Sequence, residues 1–381
     1  MTINREVARI ASRTNKIDRN HVYPLIMNGD MRIAQKGTSA TGLGTVISTP
    51  VFDRWVVGGN GDNAGRLTVS QSTDVPTGAG FKHSMKWDCT TADTSIGATE
   101  FLQLYQAMEG QDLALFNKGT ADCTTFTVIF WAKGTAATYA CELLDAENDR
   151  IVSKLFTITT SWQKFVLNFP ADTSTSDDFT YDNAGRFAVM FQFHAGSNFT
   201  SGTINDSAFA DRVDANRFPG LSSFFSSTDN EFYITGVQLE LGTFVSGSEP
   251  EFQFVDQATQ LKQCQRYYQV IVNGDDQYMG NGHYHDEDYL FVPAHFKNTM
   301  RAAPTAEVTT GGSYWRAEGG DNSSGDTFDN IDGVAHQTNK CAMFYTDGDN
   351  VSIPGNNVRA NNTFKLRSNN ASARLALAAE I

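Results

Sequence analysis

Residues 231–269, EFYITGVQLELGTFVSGSEPEFQFVDQATQLKQCQRYYQ, decide how the rest of the chain is read. The first third alternates as a strand: Phe232, Ile234, Val237, Leu239 and Leu241 are apolar among polar neighbours, with a slip in phase at Gly236. Glycines and Pro250 break that pattern, and from Asp256 the apolar spacing turns helical through Ala258, Leu261, Cys264 and Tyr268. A strand that closes one module therefore runs into a helix that opens another. Leu261, Cys264, Tyr267 and Tyr268 are the expected contact between modules or between copies of the chain; the alternative is a helix that only caps the second module.

At 381 residues the chain has room for two domains with full cores. Only 19% of residues are charged, while 27 phenylalanines sit among abundant glycine, serine, threonine and asparagine, which suits short strands joined by polar turns. The expected fold class is all-β. A formal net charge of -14 would repel phosphates, so nucleic acid is not an expected partner. Cys89, Cys123, Cys141, Cys264 and Cys341 form no CxxC pair, so buried free thiols and synthesis in a reducing cytoplasm are expected. No apolar run has the length of a signal peptide or a membrane span, so membrane insertion is not expected.

Residues 1–24 differ in charge from the rest of the chain. Ile3, Val7 and Ile10 recur at helical spacing, surrounded by Arg5, Arg9, Arg13, Lys16 and Arg19. A basic arm or short helix on an acidic protein reads as a docking element, and the alternative is a helix packed on its own domain with a solvated basic face. Strand-like runs come next, including RLTVSQS, HSMKWDCT, CTTFTVIFWAKGT, TYACELLD, SWQKFVLNF and RFAVMFQFHAG. Asp62-Asn63-Ala64-Gly65-Arg66 returns as Asp182-Asn183-Ala184-Gly185-Arg186, each time before a strand, which reads as one turn chemistry used twice.

The order of four segments, NGDM, TFTVIFWAKGT, TTSWQKFVLNF and FYITGVQLELG, resembles carbohydrate-binding-module-like jelly rolls. That resemblance implies a jelly-roll β-sandwich over residues 25–250, with first and last strands as neighbours. Such modules often hold a structural calcium with an acidic pair in the closing strand, where this chain has Thr235-Gly236. A wider combination, NGDMRIAQKGT with FDRW, TGVQLELG, CQRYYQ and MRAAP, looks like tailed-bacteriophage virion proteins. This second resemblance implies a virion structural protein, made in the host cytoplasm. A homotrimeric tail fibre or receptor-binding component comes first. A capsid head-decoration protein is the alternative, and a polysaccharide depolymerase a further one. Implied partners are other virion proteins and a host cell-surface glycan or protein.

Residues 251–270 are expected to form a connecting helix, and 271–381 a small C-terminal β-sandwich that presents long loops at 311–326 and 347–362. The densest polar cluster is His283-Tyr284-His285-Asp286-Glu287-Asp288-Tyr289. On a strand His283 and His285 would share a face, as a metal pair could, with His295 the nearest further candidate; a polar loop is the alternative, and no metal or cofactor is expected. Catalytic fingerprints such as GxSxG, HExxH and the P-loop are missing, and the expectation is a non-enzymatic binder. Loop-like Tyr278, Tyr284, Tyr314 and Trp315 are the expected glycan or receptor contacts, whereas Trp55, Trp87, Trp131 and Trp162 read as core.

Overall fold

The computed structural model describes residues 24–46, 48–60, 62–284, 289–318, 325–346 and 363–381. Arg5, Arg9, Arg13, Lys16, Arg19, His285 and the stretch 347–362 lie outside the described residues. The chain divides into two compact units, one ending at Gln260 and including Ile381, the other running from Leu261 to Glu380. No described helix is long and apolar enough to cross a membrane.

The described strands of the first unit are β1 (Ser39–Leu43), β2 (Thr49–Pro50), β3 (Val56–Gly59), β4 (Arg66–Ser72), β5 (Ser84–Thr91), β6 (Phe101–Glu109), β7 (Phe126–Gly134), β8 (Ala137–Asp145), β9 (Arg150–Ile158), β10 (Gln163–Phe169), β11 (Gly185–Ala195), β12 (Ala210–Asp211) and β13 (Glu231–Leu241). They form a six-stranded sheet, β1-β4-β5-β13-β7-β10, and a seven-stranded sheet, β12-β9-β8-β11-β6-β3-β2. Alternate residues point inward: Phe126, Val128 and Phe130 from β7 meet Phe187, Val189 and Phe191 from β11 in one core. Each wholly buried phenyl ring there stabilises the unit by about 1.5–3 kcal/mol. The unit is a β-sandwich.

The phase slip in β13 is a bulge. The register against β7 shifts between Thr235 and Gln238, and Gly236 takes φ 64°. Before it Phe232 and Ile234 face the core; after it Val237 and Leu239 do. The Val237 amide donates to the Gly29 carbonyl at 3.0 Å, so the opening segment docks at the bulge. A side chain at residue 29 would put its Cβ 2.0 Å from the Val237 oxygen, which is why the NGDM text needs glycine there. The structure corrects the expected neighbours: β13 lies between β5 and β7, and β1 pairs with β4 at the edge.

The sequence motifs interlock. Asn28 donates through Nδ2 to the Asp53 carbonyl at 3.0 Å, and Trp55 Nε1 donates to the Asn28 carbonyl at 2.9 Å. Arg32 Nη2 donates to Gln260 Oε1 at 2.7 Å, and Gln260 Nε2 to Asp30 Oδ1 at 3.0 Å. The repeated turns differ in chemistry, since the Ala64 amide donates to Asp93, whereas the Ala184 amide donates to Asp182 within its own turn.

The described residues also include two α-helices, α1 (Ser197–Thr200) and α2 (Gln257–Cys264). The expected longer helix is corrected, for α2 stops at Cys264 and Tyr268 opens a strand. The amides of Arg266 and Tyr267 bond three residues back, to Gln263 and Cys264, which tightens and ends the helix. The β-branched run after Tyr268 favours extended backbone.

The second unit contains β14 (Tyr268–Asn273), β15 (Tyr278–Tyr284), β16 (Leu290–His295), β17 (Thr305–Val308), β18 (Trp315–Glu318), β19 (Gly325–Phe328), β20 (Gly333–Ala335), β21 (Cys341–Thr346), β22 (Thr363–Ser368) and β23 (Arg374–Ala378). They form a three-stranded sheet, β14-β23-β17, and a seven-stranded sheet, β19-β18-β22-β15-β16-β21-β20. Val272 and Leu375 from the small sheet share one core with Val292, Phe344 and Leu366 from the large one.

Candidate functional site

The outer face of the first unit's seven-stranded sheet carries a cleft of ≈ 200 Å³. Its floor is set by the ladder: Gln103 of β6 lies opposite Gln192 of β11, and Met190 lies beside Glu142 of β8. Phe101, Phe199 and Phe218 wall it, with Phe101 and Phe199 edge to face at 6.0 Å.

Residues 199–218 form the far wall because they bond to themselves. The Phe218 amide donates to the Phe199 carbonyl at 2.9 Å, and the Gly202 amide to the Ala215 carbonyl at 2.8 Å. Arg217 ties that wall to the sheet, reaching both Glu142 oxygens, at 3.1 Å from Nε and 2.6 Å from Nη2. Burial opposes the charge on Arg217, but Glu142 outweighs it and holds the guanidinium pKa above its ordinary value. The guanidinium also lies over the Phe218 ring, 4.8 Å from its centroid.

Gln192 gives the cleft a specific polar feature. It is 1% exposed, and its Nε2 donates to the His194 carbonyl at 2.7 Å. A carbonyl only accepts, so the amide cannot be turned over, and Oε1 is left without a partner. A buried acceptor in that state costs about 1–3 kcal/mol, recovered when a ligand hydroxyl donates to it. Apolar rings around an unpartnered acceptor and a fixed guanidinium suit a ligand with apolar faces and a hydroxyl rim.

The residues expected from the sequence lie elsewhere, in the second unit. Trp315 is 0% exposed at the start of β18, and Tyr284 is 8% exposed on β15, its ring 4.7 Å from that of Phe364. Both are core, so the expected glycan contact at these residues is corrected. Tyr314 is half-buried against the same core. Tyr278 is 60% exposed, but it stands on a strand and its hydroxyl donates to Asn281. Cys264, Tyr267 and Tyr268 are buried within the chain, and Tyr268 donates to Glu307 and accepts from Arg374, so they present no side chain to a second copy. Leu261 remains half-buried.

The register separates the expected metal candidates, because His283 lies opposite Phe291 and His295 is four residues further along β16. Among the described residues the first unit instead gathers Asp93, Glu100 and His194, whose ligand atoms lie within 4.8 Å of one another. Their own hydrogen bonds account for this grouping. His194 Nε2 meets Glu100 at 3.1 Å and Nδ1 meets the Ser223 hydroxyl at 2.8 Å, while Asp93 accepts from the Ala64 and Ser95 amides.

Burial lowers the His194 pKa, against the opposing pull of Glu100 and Asp93. The unfolded state therefore binds a proton more readily than the folded state. Stability is fully present above the unfolded value of about 6.5 and is lost as pH falls from there through the lowered folded value. Urea midpoints at pH 7.5 and 5.5 test this; the drop should shrink in His194→Gln, and an equal drop in that variant contradicts it.

Sequence reading missed this cleft because β6 and residues 199–218 carry no strand or helix signal of their own. Trp55 and Trp87 are core as expected, whereas Trp131 and Trp162 are half-buried on an outer sheet face.

No protein-family model matches the sequence, and no curated protein matches it. Among solved structures the chain is similar to the enzymatically active domain of tailspike protein 4 of bacteriophage CBA120, at 15% identity and a TM-score of 0.27. That match covers 57% of this chain and spans only 21% of the other. It is also similar to CBM4, at 14% identity and a TM-score of 0.28, over 56% of this chain and 97% of that one. The CBM22 tandem domain of Paenibacillus barcinonensis Xyn10C matches 90% of this chain and 98% of its own, at 9% identity and a TM-score of 0.25. Likeness at this level adds no argument; the sandwich rests on the chain's own strand ladders.

Proposed function

We propose that this chain is a non-enzymatic, saccharide-binding structural component of a tailed-bacteriophage particle. It acts as a trimeric fibre or receptor-binding protein that is made in the host cytoplasm and attaches the particle to a host-surface glycan. The observation that carries the binding role is the unpartnered Gln192 acceptor on the floor of the Phe101–Phe199–Phe218 cleft. A pyranose ring offers apolar C–H faces to the phenyl rings and a hydroxyl to that acceptor. The virion role and the trimer rest on the combination of NGDMRIAQKGT, FDRW, TGVQLELG and CQRYYQ. Weak sites on three copies reinforce one another when they engage a single surface.

Affinity electrophoresis in gels containing β-glucan, xylan, galactomannan or dextran tests the binding role. Gln192→Leu and the half-buried Phe199→Ala should each weaken retardation by roughly tenfold, as losing about 1–3 kcal/mol implies. Retardation unchanged in both variants sinks the assignment of this cleft.

A further inference from the structure

The opposite face of the sandwich, on the six-stranded sheet, holds a second cleft of ≈ 330 Å³ that shares no residue with the first. Trp131 of β7 and Gln238 of β13 stand on its floor, and Phe81, Phe252 and Phe254 form its wall. The three phenyl rings brace one another, with centroids 4.9–5.2 Å apart. Phe254 is 50% exposed, so a ring face remains open to solvent.

Gln238 repeats the chemistry of Gln192 independently. It is 3% exposed, its Nε2 donates to the Pro250 carbonyl at 3.0 Å, and its Oε1 is left without a partner. The β13 bulge places it there, since Gln238 is the residue at which pairing with β7 resumes, opposite Ile129. Beyond the cleft the face continues. Lys133, two residues from Trp131 and so about 7 Å along the strand, lies over the Tyr233 ring at 4.8 Å and the Trp162 ring at 5.6 Å. Asp74 fixes this pair by accepting from Trp162 Nε1 at 3.0 Å and from Lys133.

We infer that this face is a second saccharide site, for a neutral glycan chain that stacks on Trp131, donates a hydroxyl to Gln238 Oε1 and continues over Tyr233 and Trp162. Charge selects neutral over acidic sugars. Lys86, Lys133 and Lys164 on this face are already paired with Glu231, Asp74 and Glu249. An added carboxylate would have to compete with those partners. A peptide strand adds at a sheet edge, and β7 and β13 are both interior strands. A chain carrying this site and the Gln192 cleft grips glycan from both faces of one sandwich.

Tryptophan emission separates the two sites. No tryptophan lines the first cleft, and Trp55, Trp87 and Trp315 are buried, so Trp131 and Trp162 report on the second face. The full chain is titrated with cellohexaose, xylohexaose, mannohexaose and laminarihexaose, and with hexagalacturonate as the acidic probe. At least one neutral hexasaccharide should change the emission saturably, and the response should persist at high salt and in Gln192→Leu. Gln238→Leu and the solvent-facing Phe254→Ala should each weaken it by about tenfold. No saturable change with any neutral probe, a response confined to hexagalacturonate, or full affinity in both variants overturns the second site. Binding heat that survives Gln238→Leu but is lost in Gln192→Leu, without an emission change, supports the first cleft alone.

Discussion

Replacing Lys118 with Met lowers the stability of the first unit by about 3–5 kcal/mol in a urea titration, because it leaves buried carboxylates without their cation. The Lys118 side chain is 3% exposed, and its Nζ lies 3.0 Å from both Asp145 and Asp172 while donating to the Asp177 carbonyl at 2.7 Å. Asp172 keeps a second cation, since Arg150 reaches its two oxygens at 2.9 and 3.0 Å. Among the described residues Asp145 keeps the donors of Glu147 and Asn148 and no cation. Removing the charge of Asp145 as well, in Lys118→Met/Asp145→Asn, should recover part of the loss, and the double-mutant cycle measures how much. A Lys118→Met midpoint equal to that of the wild type contradicts this account.

The same network sets acid sensitivity. Burial alone would raise the Asp172 pKa, but hydrogen bonds from Arg150 and Lys118 outweigh it and hold the carboxyl below its ordinary range. A depressed folded pKa gives stability that is complete above the unfolded value of about 3.9 and lost as pH falls through the folded one. This loss sets in at about pH 3.9 and that of His194 at about pH 6.5, so one pH series reads the two onsets separately.

Gly236→Asp should destabilise the first unit by about 2–5 kcal/mol. Two causes add. The φ of 64° is a left-handed conformation that costs any L side chain. A Cβ there would lie 2.4 Å from the Phe81 ring, which wedges against the bulge. Because Phe81 walls the Trp131 cleft, the variant should also lose the tryptophan response to neutral hexasaccharides. Differential melting and the emission titration read the two effects separately, and wild-type behaviour in both contradicts the bulge's role.

Much of the sandwich was legible where one face alone was apolar. Phe232, Ile234, Val237, Leu239 and Leu241 announce both the strand and its phase slip. β6 was not legible, because its outward Phe101 and Tyr105 are aromatic while inward Gln106 is polar, bonding the amide and the carbonyl of Met27. β9 hid for a related reason, since outward Ile151 and Leu155 blur the alternation against inward Val152 and Phe156. Tyr284 and Trp315 read as loop aromatics because glycines surround them. In β15, Gly280 and Gly282 are strand residues, and a Cβ at either would meet Val292 of β16. Neither cleft has a local signal. Glu142 and Arg217 are separated by 75 residues, and only the ladder places Gln192 or Gln238 among rings.

The most direct test of saccharide binding without cleavage is a glycan array probed with the wild-type chain, paired with a reducing-end assay on every glycan bound. Saturable binding to neutral glycans with no release of reducing ends is the predicted result. No glycan bound, or reducing ends released from the glycans that are, contradicts it.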